Sequence, residues 1–288
     1  MNLKEFLQTQ HVQKPHFVLF GNPVGHSLSP LMHNKAARYY GLDVRYYSVQ
    51  LANNEKPLIK DFLQNEQLKG VNLTIPFKYD FIQYCAGLGP VSSKIQAVNV
   101  LVKNKNRWEG YNTDGYGFAQ PLKQYSDIIG GGHAVIFGSG GAARAVAYAL
   151  QDLDIEQKII VSRNPDDVGA IVRPLIDAVV DYQEWPSAAE KAGLIVNCTP
   201  LGMKPNLSQS PVNEGQIQHL KNKICYDLIY NPAKTNFLKQ AESQNSTIIN
   251  GLDMLVHQGS RIFELWTGRK FPIKVIKKTL QERLYAKD

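Results

Sequence analysis

The sequence predicts an α/β protein in two parts, the second a doubly wound sheet. Three observations lead there. Short apolar strands alternate with helical patterns along most of the chain. One strand, within HAVIFGSGGAA (133–143), breaks into a glycine turn that opens a helix over Arg144 to Leu150. The 288 residues, 43% hydrophobic and 20% charged, suffice for a sizeable core in about two domains. The formal charge of +7 is spread out, with small clusters at Lys103 to Arg107 and Lys270 to Lys278. No base-stacking motif accompanies those charges, so no nucleic-acid partner is expected. A mildly positive protein suits a polyanionic cofactor and an acidic substrate. Cys85, Cys198 and Cys225 are odd in number and far apart, which argues against a disulfide framework or a zinc site. No apolar run has the length of a signal peptide or a bilayer span. The expectation is a cytoplasmic protein with no membrane partner and no metal.

Taken in order, HFVLFG (16–21) reads as a strand, and NPVGHSLS leads into the amphipathic PLMHNKAARYY, which ends before Gly41. Ser29 followed by Pro30 reads as a helix cap with proline in the first turn. The same helix start, with Ser27 and Ser29 beside exposed amides, also suits a carboxylate. RYYSVQ (45–50) reads as a strand, Lys56 to Glu66 as a helix and GVNLTIP (70–76) as a strand. In the last of these Val71, Leu73 and Ile75 share one face, and Asn72 and Thr74 the other. Pro76 then opens a helix, FKYDFIQYCA, with Lys78 in its first turn against the positive end of the macrodipole. Lys78 is either a solvated lysine or one that exchanges a proton during catalysis. AVNVLVK (97–103) and RWEGYN (107–112) form a hairpin interrupted by Asn99, which satisfies a backbone group or a ligand hydroxyl. Asp114 follows in NTDGYGF, before a helix running to about Tyr125, and either caps that helix or serves catalysis, capping being favoured on local grounds.

In the glycine turn each small residue has its own reason. Gly138 permits the sharp turn, Gly140 lets a diphosphate approach the amides at the helix start, and Ala143 lets the helix pack on its strand. The next strand, KIIVSR (158–163), ends at Arg163, where a cation suits a 2′-phosphate, so NADP is expected. Asp166 and Asp167 lie close by and oppose it. A helical patch near Asp167 to Ala178, a strand near Val179, then LIVNCT (194–199) and CYDLIY (225–230) continue the alternation. Ligands of such sheets sit beyond strand C-termini, where TPLGM (199–203) and YNP (230–232) lie. From Gly251 a helix carries Leu255, Gln258 and Ile262 on one face. The final basic amphipathic helix has no strand after it and is expected to return to the first domain.

Together these stretches resemble the shikimate dehydrogenase family over nearly the whole chain. Its marks are GNPVGHSLSPLMHN (21–34), VNLTIPFK (71–78), AVN (97–99), NTDG (112–115), GSGGAA, NCTPLGM (197–203), DLIYNP (227–232) and MLVHQ (254–258). The resemblance implies a substrate-binding α/β domain (1–117, with 252–288 returning to it) and a Rossmann domain (118–251). It implies a reversible NADPH-dependent reduction of 3-dehydroshikimate to shikimate, by a monomer or homodimer. Carried over by motif, Ser27 and Ser29 hold the substrate carboxylate. Thr74, Asn99, Asp114 and Gln258 bind ring hydroxyls or the carbonyl, and Tyr230 lines the cleft. Lys78 and Asp114 form the catalytic pair. Gly138, Ser139, Gly140, Gly141, Ala142, Ser162, Arg163, Thr199, Leu228 and Gly251 hold the cofactor. One departure stands out. Family members committed to NADP often show Asn-Arg-Thr followed by a second basic residue, whereas this chain has Ser162-Arg163-Asn164 and then two acids. A quinate/shikimate dehydrogenase accepting NAD is the neighbouring reading. A non-catalytic sensor is the reading from another class, and retention of both Lys78 and Asp114 argues against it.

Overall fold

The structure, a computed structural model, describes residues 1–285. The chain divides into two compact units, Met1–Thr113 with Gln258–Arg283, and Asp114–His257 with Leu284 and Tyr285. The first division thus falls at Thr113, and the second inside a helix that begins at Leu252.

The first unit begins with α1 (Leu3–Leu7), β1 (His16–Gly21), α2 (Ser29–Tyr39), β2 (Arg45–Gln50), α3 (Ile59–Phe62) and β3 (Leu68–Leu73). It continues with β4 (Gly87–Leu88), α4 (Pro90–Ile95), β5 (Val100–Asn104) and β6 (Arg107–Tyr111). Its mixed sheet has the order β2-β1-β3-β5-β6-β4, with β1 parallel to both neighbours and β5 antiparallel to both of its own. The run FVLF (17–20) is apolar throughout because both faces of β1 are covered. Val18 and Phe20 join a cluster with Val71, Leu73, Phe77 and Phe81, while Phe17 and Leu19 pack with Tyr46 and Val24 on the other side.

Two helices expected in this unit take another form. Residues 53–62 are a 3₁₀ segment, Asn53–Leu58, followed by the short α3, because Pro57 removes a donor inside it. The stretch after β3 is a turn over residues 75–79 and then a 3₁₀ helix, Asp80–Tyr84. β3 itself stops at Leu73. The Thr74 amide donates to the Phe20 carbonyl and the Thr74 carbonyl accepts from Phe77, so the chain turns at once. Ile75 is 72% exposed instead of sharing the apolar face of Val71 and Leu73. Lys78 therefore sits in a turn, not in the first turn of an α-helix, and the macrodipole argument does not apply to it.

The second unit contains α5 (Asp114–Leu122), α6 (Ser126–Ile129), β7 (Gly132–Phe137), α7 (Gly141–Ala149), β8 (Ile155–Val161) and β9 (Ala178–Val180). Then come α8 (Trp185–Ala189), β10 (Ala192–Asn197), β11 (Ile224–Asp227), α9 (Asn236–Ser243) and β12 (Thr247–Ile249). All its strand pairs are parallel, in the order β12-β11-β10-β7-β8-β9. Counted from β7, this is the 3-2-1-4-5-6 order of dinucleotide-binding sheets, whose switch point lies between β7 and β10. Val135, Phe137, Ile195 and Cys225 pack under Trp185 and Phe237 on one face. The helical patch expected at 167–178 is two 3₁₀ turns, Pro165–Asp167 and Arg173–Leu175, since Gly169 and Pro174 interrupt any longer helix.

Two helices close the chain, α10 (Leu252–Thr267) and α11 (Ile273–Tyr285). From Gln258 on, α10 belongs to the first unit and packs by close approach. A β-carbon at Gly70 would collide with the Trp266 ring, and one at Gly259 with the Met32 side chain. Trp266 stacks on Phe17 at 4.2 Å and 9°, and its Nε1 donates to the Leu101 carbonyl at 3.0 Å. Among the described residues no helix is long and apolar enough to cross a membrane, and no group of three or more His, Cys, Asp or Glu could hold a metal ion.

Candidate functional site

In the first unit three of the polar candidates, Ser27, Ser29 and Asn99, are linked through Tyr46 and Asn72. Ser29 is not the cap of α2 but its first residue, 9% exposed, and its amide donates to the Ser27 hydroxyl at 3.2 Å. The Ser29 hydroxyl is within hydrogen-bonding range of the Tyr46 phenol, whose pKa burial raises well above the usual range while Ser29 opposes that shift. The Tyr46 hydroxyl donates to Asn72 Oδ1 at 2.7 Å, and Asn72 Nδ2 donates to the Asn99 carbonyl at 2.9 Å. Asn99, 3% exposed, donates from Nδ2 to Thr113 Oγ1 at 3.0 Å and accepts from the Thr113 amide at 2.9 Å. The polar face foreseen on β3 is thus used internally at Asn72. Thr74 is half-buried, and its methyl group would meet any β-carbon at Gly21. The main chain of Lys78 is anchored by its carbonyl, which accepts from the Val98 amide at 2.8 Å, and its side chain is half-buried. Gln258 is half-buried on α10.

Asp114, 6% exposed, is the first residue of α5 and belongs to the second unit, as does half-buried Tyr230. The glycine turn of that unit takes the sharp backbone form that its small residues suggest. Gly138 has a φ of +100°, a conformation that favours glycine, and a β-carbon there would lie 3.2 Å from Thr199 Cγ2. The turn after β7 and the loop after β10 therefore meet at the switch point. Gly140 precedes α7 with no side-chain cap, and a β-carbon on it would touch nothing within 4 Å. The open space outside that backbone, with Ser139, Gly141 and Ala142 beside it, fits a diphosphate on the first-turn amides. Ala143 is fully buried. After β8 the buried Ser162 hydroxyl donates to the Asn164 carbonyl at 3.2 Å, and Arg163 is exposed. Asp167 accepts from Asn164 Nδ2 at 3.2 Å. Leu228 and Gly251 lie against each other, with the Gly251 amide donating to the neighbouring Ile229 carbonyl at 3.0 Å.

Asp227, in the same strand-end region, was not singled out by the sequence beyond its place in DLIYNP. It is fully buried, and Asn197, Ile229 and Thr235 all donate to its carboxylate. Burial raises its pKa from 3.8 to about 6, with those three donors opposing the rise. Between these two pH values the folded chain holds the proton that the unfolded chain has released, so this group's contribution to stability falls as pH rises through the window and is level above it. Comparing Asp227→Asn with the wild type from pH 3.5 to 7 by chemical denaturation should show a flatter profile, the difference amounting to roughly 2–3 kcal/mol across the window. Parallel profiles would remove Asp227 as their cause.

Two family models match the chain: the shikimate dehydrogenase substrate binding domain over residues 19–101 and the shikimate 5′-dehydrogenase C-terminal domain over residues 251–281. The NADP(+) shikimate dehydrogenase of Prochlorococcus marinus is 38% identical over 277 residues, covering 92% of this chain and 96% of that one. Among solved structures, shikimate 5-dehydrogenase of Listeria monocytogenes, in complex with shikimate and NAD, superposes with a TM-score of 0.83 at 30% identity over 93% of this chain and 96% of that one. The Thermus thermophilus enzyme, in complex with NADP(H) and shikimate, gives 0.82 at 30% identity over 93% of this chain and 98% of that one. With identity of this order over more than nine-tenths of its length, the chain belongs to the shikimate dehydrogenase family.

Proposed function

We propose that this chain is an NADP-dependent shikimate dehydrogenase, reversibly reducing 3-dehydroshikimate to shikimate in the pathway to aromatic amino acids. The observation that carries this reading is the glycine turn at the switch point of a dinucleotide-ordered sheet, its helix start uncapped and open. In this reading Gly138, Ser139, Gly140, Gly141 and Ala142 receive the diphosphate, Ser162 and Arg163 the 2′-phosphate, and Thr199, Leu228 and Gly251 flank the rest of the cofactor. Bound NADPH supplies the hydride for the C3 carbonyl. Ser27 and Ser29 hold the substrate carboxylate, Thr74, Asn99 and Gln258 its hydroxyls, and Tyr230 its flank. Lys78 gives the proton to the developing alkoxide, and Asp114 orients lysine and substrate. The substrate-binding part comprises residues 1–117 with the C-terminal helices, and 118–251 form the cofactor part. The protein works in the cytoplasm as a monomer or homodimer.

A matrix of shikimate and quinate, each with NADP and NAD, followed by absorbance of the reduced nicotinamide, tests the reading. Shikimate with NADP should give the largest kcat/KM. Arg163→Ala should raise KM for NADP roughly tenfold, the loss of one charge-assisted contact, and leave NAD use unchanged. A largest value for quinate with NAD would make the chain a quinate dehydrogenase, and no turnover with any pair would favour a sensor.

A further inference from the structure

We propose that Asp227 is a positioning residue whose buried carboxylate ties the loop after β10, carrying Thr199, to the loop after β11, carrying Leu228, and so holds the cofactor side of the second unit in shape. The proposal rests on the cofactor reading above. Asp227 Oδ1 accepts from Asn197 Nδ2 at 3.1 Å and from the Ile229 amide at 3.0 Å, and Oδ2 accepts from Thr235 Oγ1 at 2.5 Å. Each donor leads into a different segment. Asn197 Oδ1 accepts from both the amide and the hydroxyl of Thr199, at 3.0 and 2.6 Å, and Asn197 Nδ2 also reaches the Leu201 carbonyl at 3.2 Å. Ile229 follows Leu228, and its carbonyl receives the Gly251 amide. Thr235 caps α9 by accepting from the Leu238 amide. A β-carbon at Gly202, in the loop after β10, would lie 3.0 Å from Thr235 Cβ, so this loop packs directly on the threonine that Asp227 holds.

Packing alone gives no reason for a carboxylate here. The rest of CYDLIY is apolar or aromatic, and an apolar side chain of similar volume would avoid the desolvation that raises this group's pKa. A closed set of charge-assisted hydrogen bonds supplies what an apolar residue lacks, fixed directions for two loops at once. Thr199 and Leu228 are candidates for cofactor contact, and both inherit their positions from it.

The experiment uses the whole chain. NADP binding to the wild type is measured first by calorimetry; then Asp227→Ala and Asp227→Asn are compared with it by circular dichroism and by KM for each substrate. Asp227→Ala should raise KM for NADP at least about tenfold, near 1.4 kcal/mol, while KM for shikimate stays within about twofold. Asp227→Asn keeps an oxygen for Asn197 and Ile229 and should return KM for NADP to within about threefold of wild type. A folded Asp227→Ala with unchanged KM for NADP, or with both KM values rising in parallel, would overturn the proposal. If that variant does not fold, Thr235→Val is judged by the same split between the two KM values. A wild type that fails to bind NADP sinks the cofactor reading and this proposal with it; a wild type that binds, beside a variant that binds equally well, sinks this proposal alone.

Discussion

Replacing Lys78 with alanine should lower kcat by at least about a hundredfold, the usual consequence of removing a general acid, and leave KM for shikimate within a fewfold of wild type. The local backbone makes the substitution a clean one. The Lys78 carbonyl is held by the Val98 amide, and the neighbouring Phe77, 1% exposed, is anchored in the core, so the turn keeps its path without the lysine side chain. An ammonium in a turn also has more freedom to reach a ligand atom than one fixed on a helix face. In the proposed mechanism its proton transfer relies on Asp114 and the substrate, since Lys78 does not stand in the first turn of a helix. A variant with near-normal kcat would transfer the proton donor's role to another group. One with kcat unchanged and KM raised would make Lys78 a binding residue instead.

How much of this could be read without coordinates depended on whether the determining contacts were local. β1, β2 and the glycine turn were legible because an apolar run, a β-branched and aromatic run and a small-residue spacing each carry their own reason. The segment after β3 misled because Pro76 followed by an amphipathic stretch is a sound helix start. What overrides it is the demand of Phe77 and Phe81 for the core cluster while the Phe77 amide returns to Thr74, which winds the chain more tightly than an α-helix. Ser27 and Ser29 were both expected at the start of α2, but that the Ser29 amide donates to the Ser27 hydroxyl depends on the backbone just before the helix, which no residue pattern marks. Asp227 carried one signal, a charge inside an apolar strand. Its partner Asn197 lies 30 positions away and comes beside it only through the pairing of β10 with β11. Tyr46 and Thr113, at either end of the path through Asn72 and Asn99, had no pattern of their own to mark them.

Gly251 is where the largest effect on stability is expected from the smallest change. A β-carbon there would fall inside the contact radius of the Leu228 carbonyl oxygen and carbon and lie 3.1 Å from the Ile229 carbonyl carbon. All three are backbone atoms, which have no rotamer through which to yield. Gly251→Ala must therefore separate the end of β12 from the loop after β11, straining the Gly251 amide's bond to the Ile229 carbonyl and shifting the start of α10, where the Leu255 amide donates to the Gly251 carbonyl at 3.0 Å. Overpacking of this kind costs about 1–3 kcal/mol, and rigid backbone neighbours place it toward the upper end. For a protein of this size that corresponds to a fall in Tm of roughly 3–5 °C by calorimetry. Because Leu228 is displaced with it, KM for NADP should rise alongside, whereas Gly140→Ala, with open space around the new methyl group, should leave Tm within about 2 °C and act on cofactor binding alone. Equal Tm values for the two variants would mean that the loop after β11 moves aside without cost, and the close approach of Gly251 to Leu228 would then have no part in holding the cofactor side together.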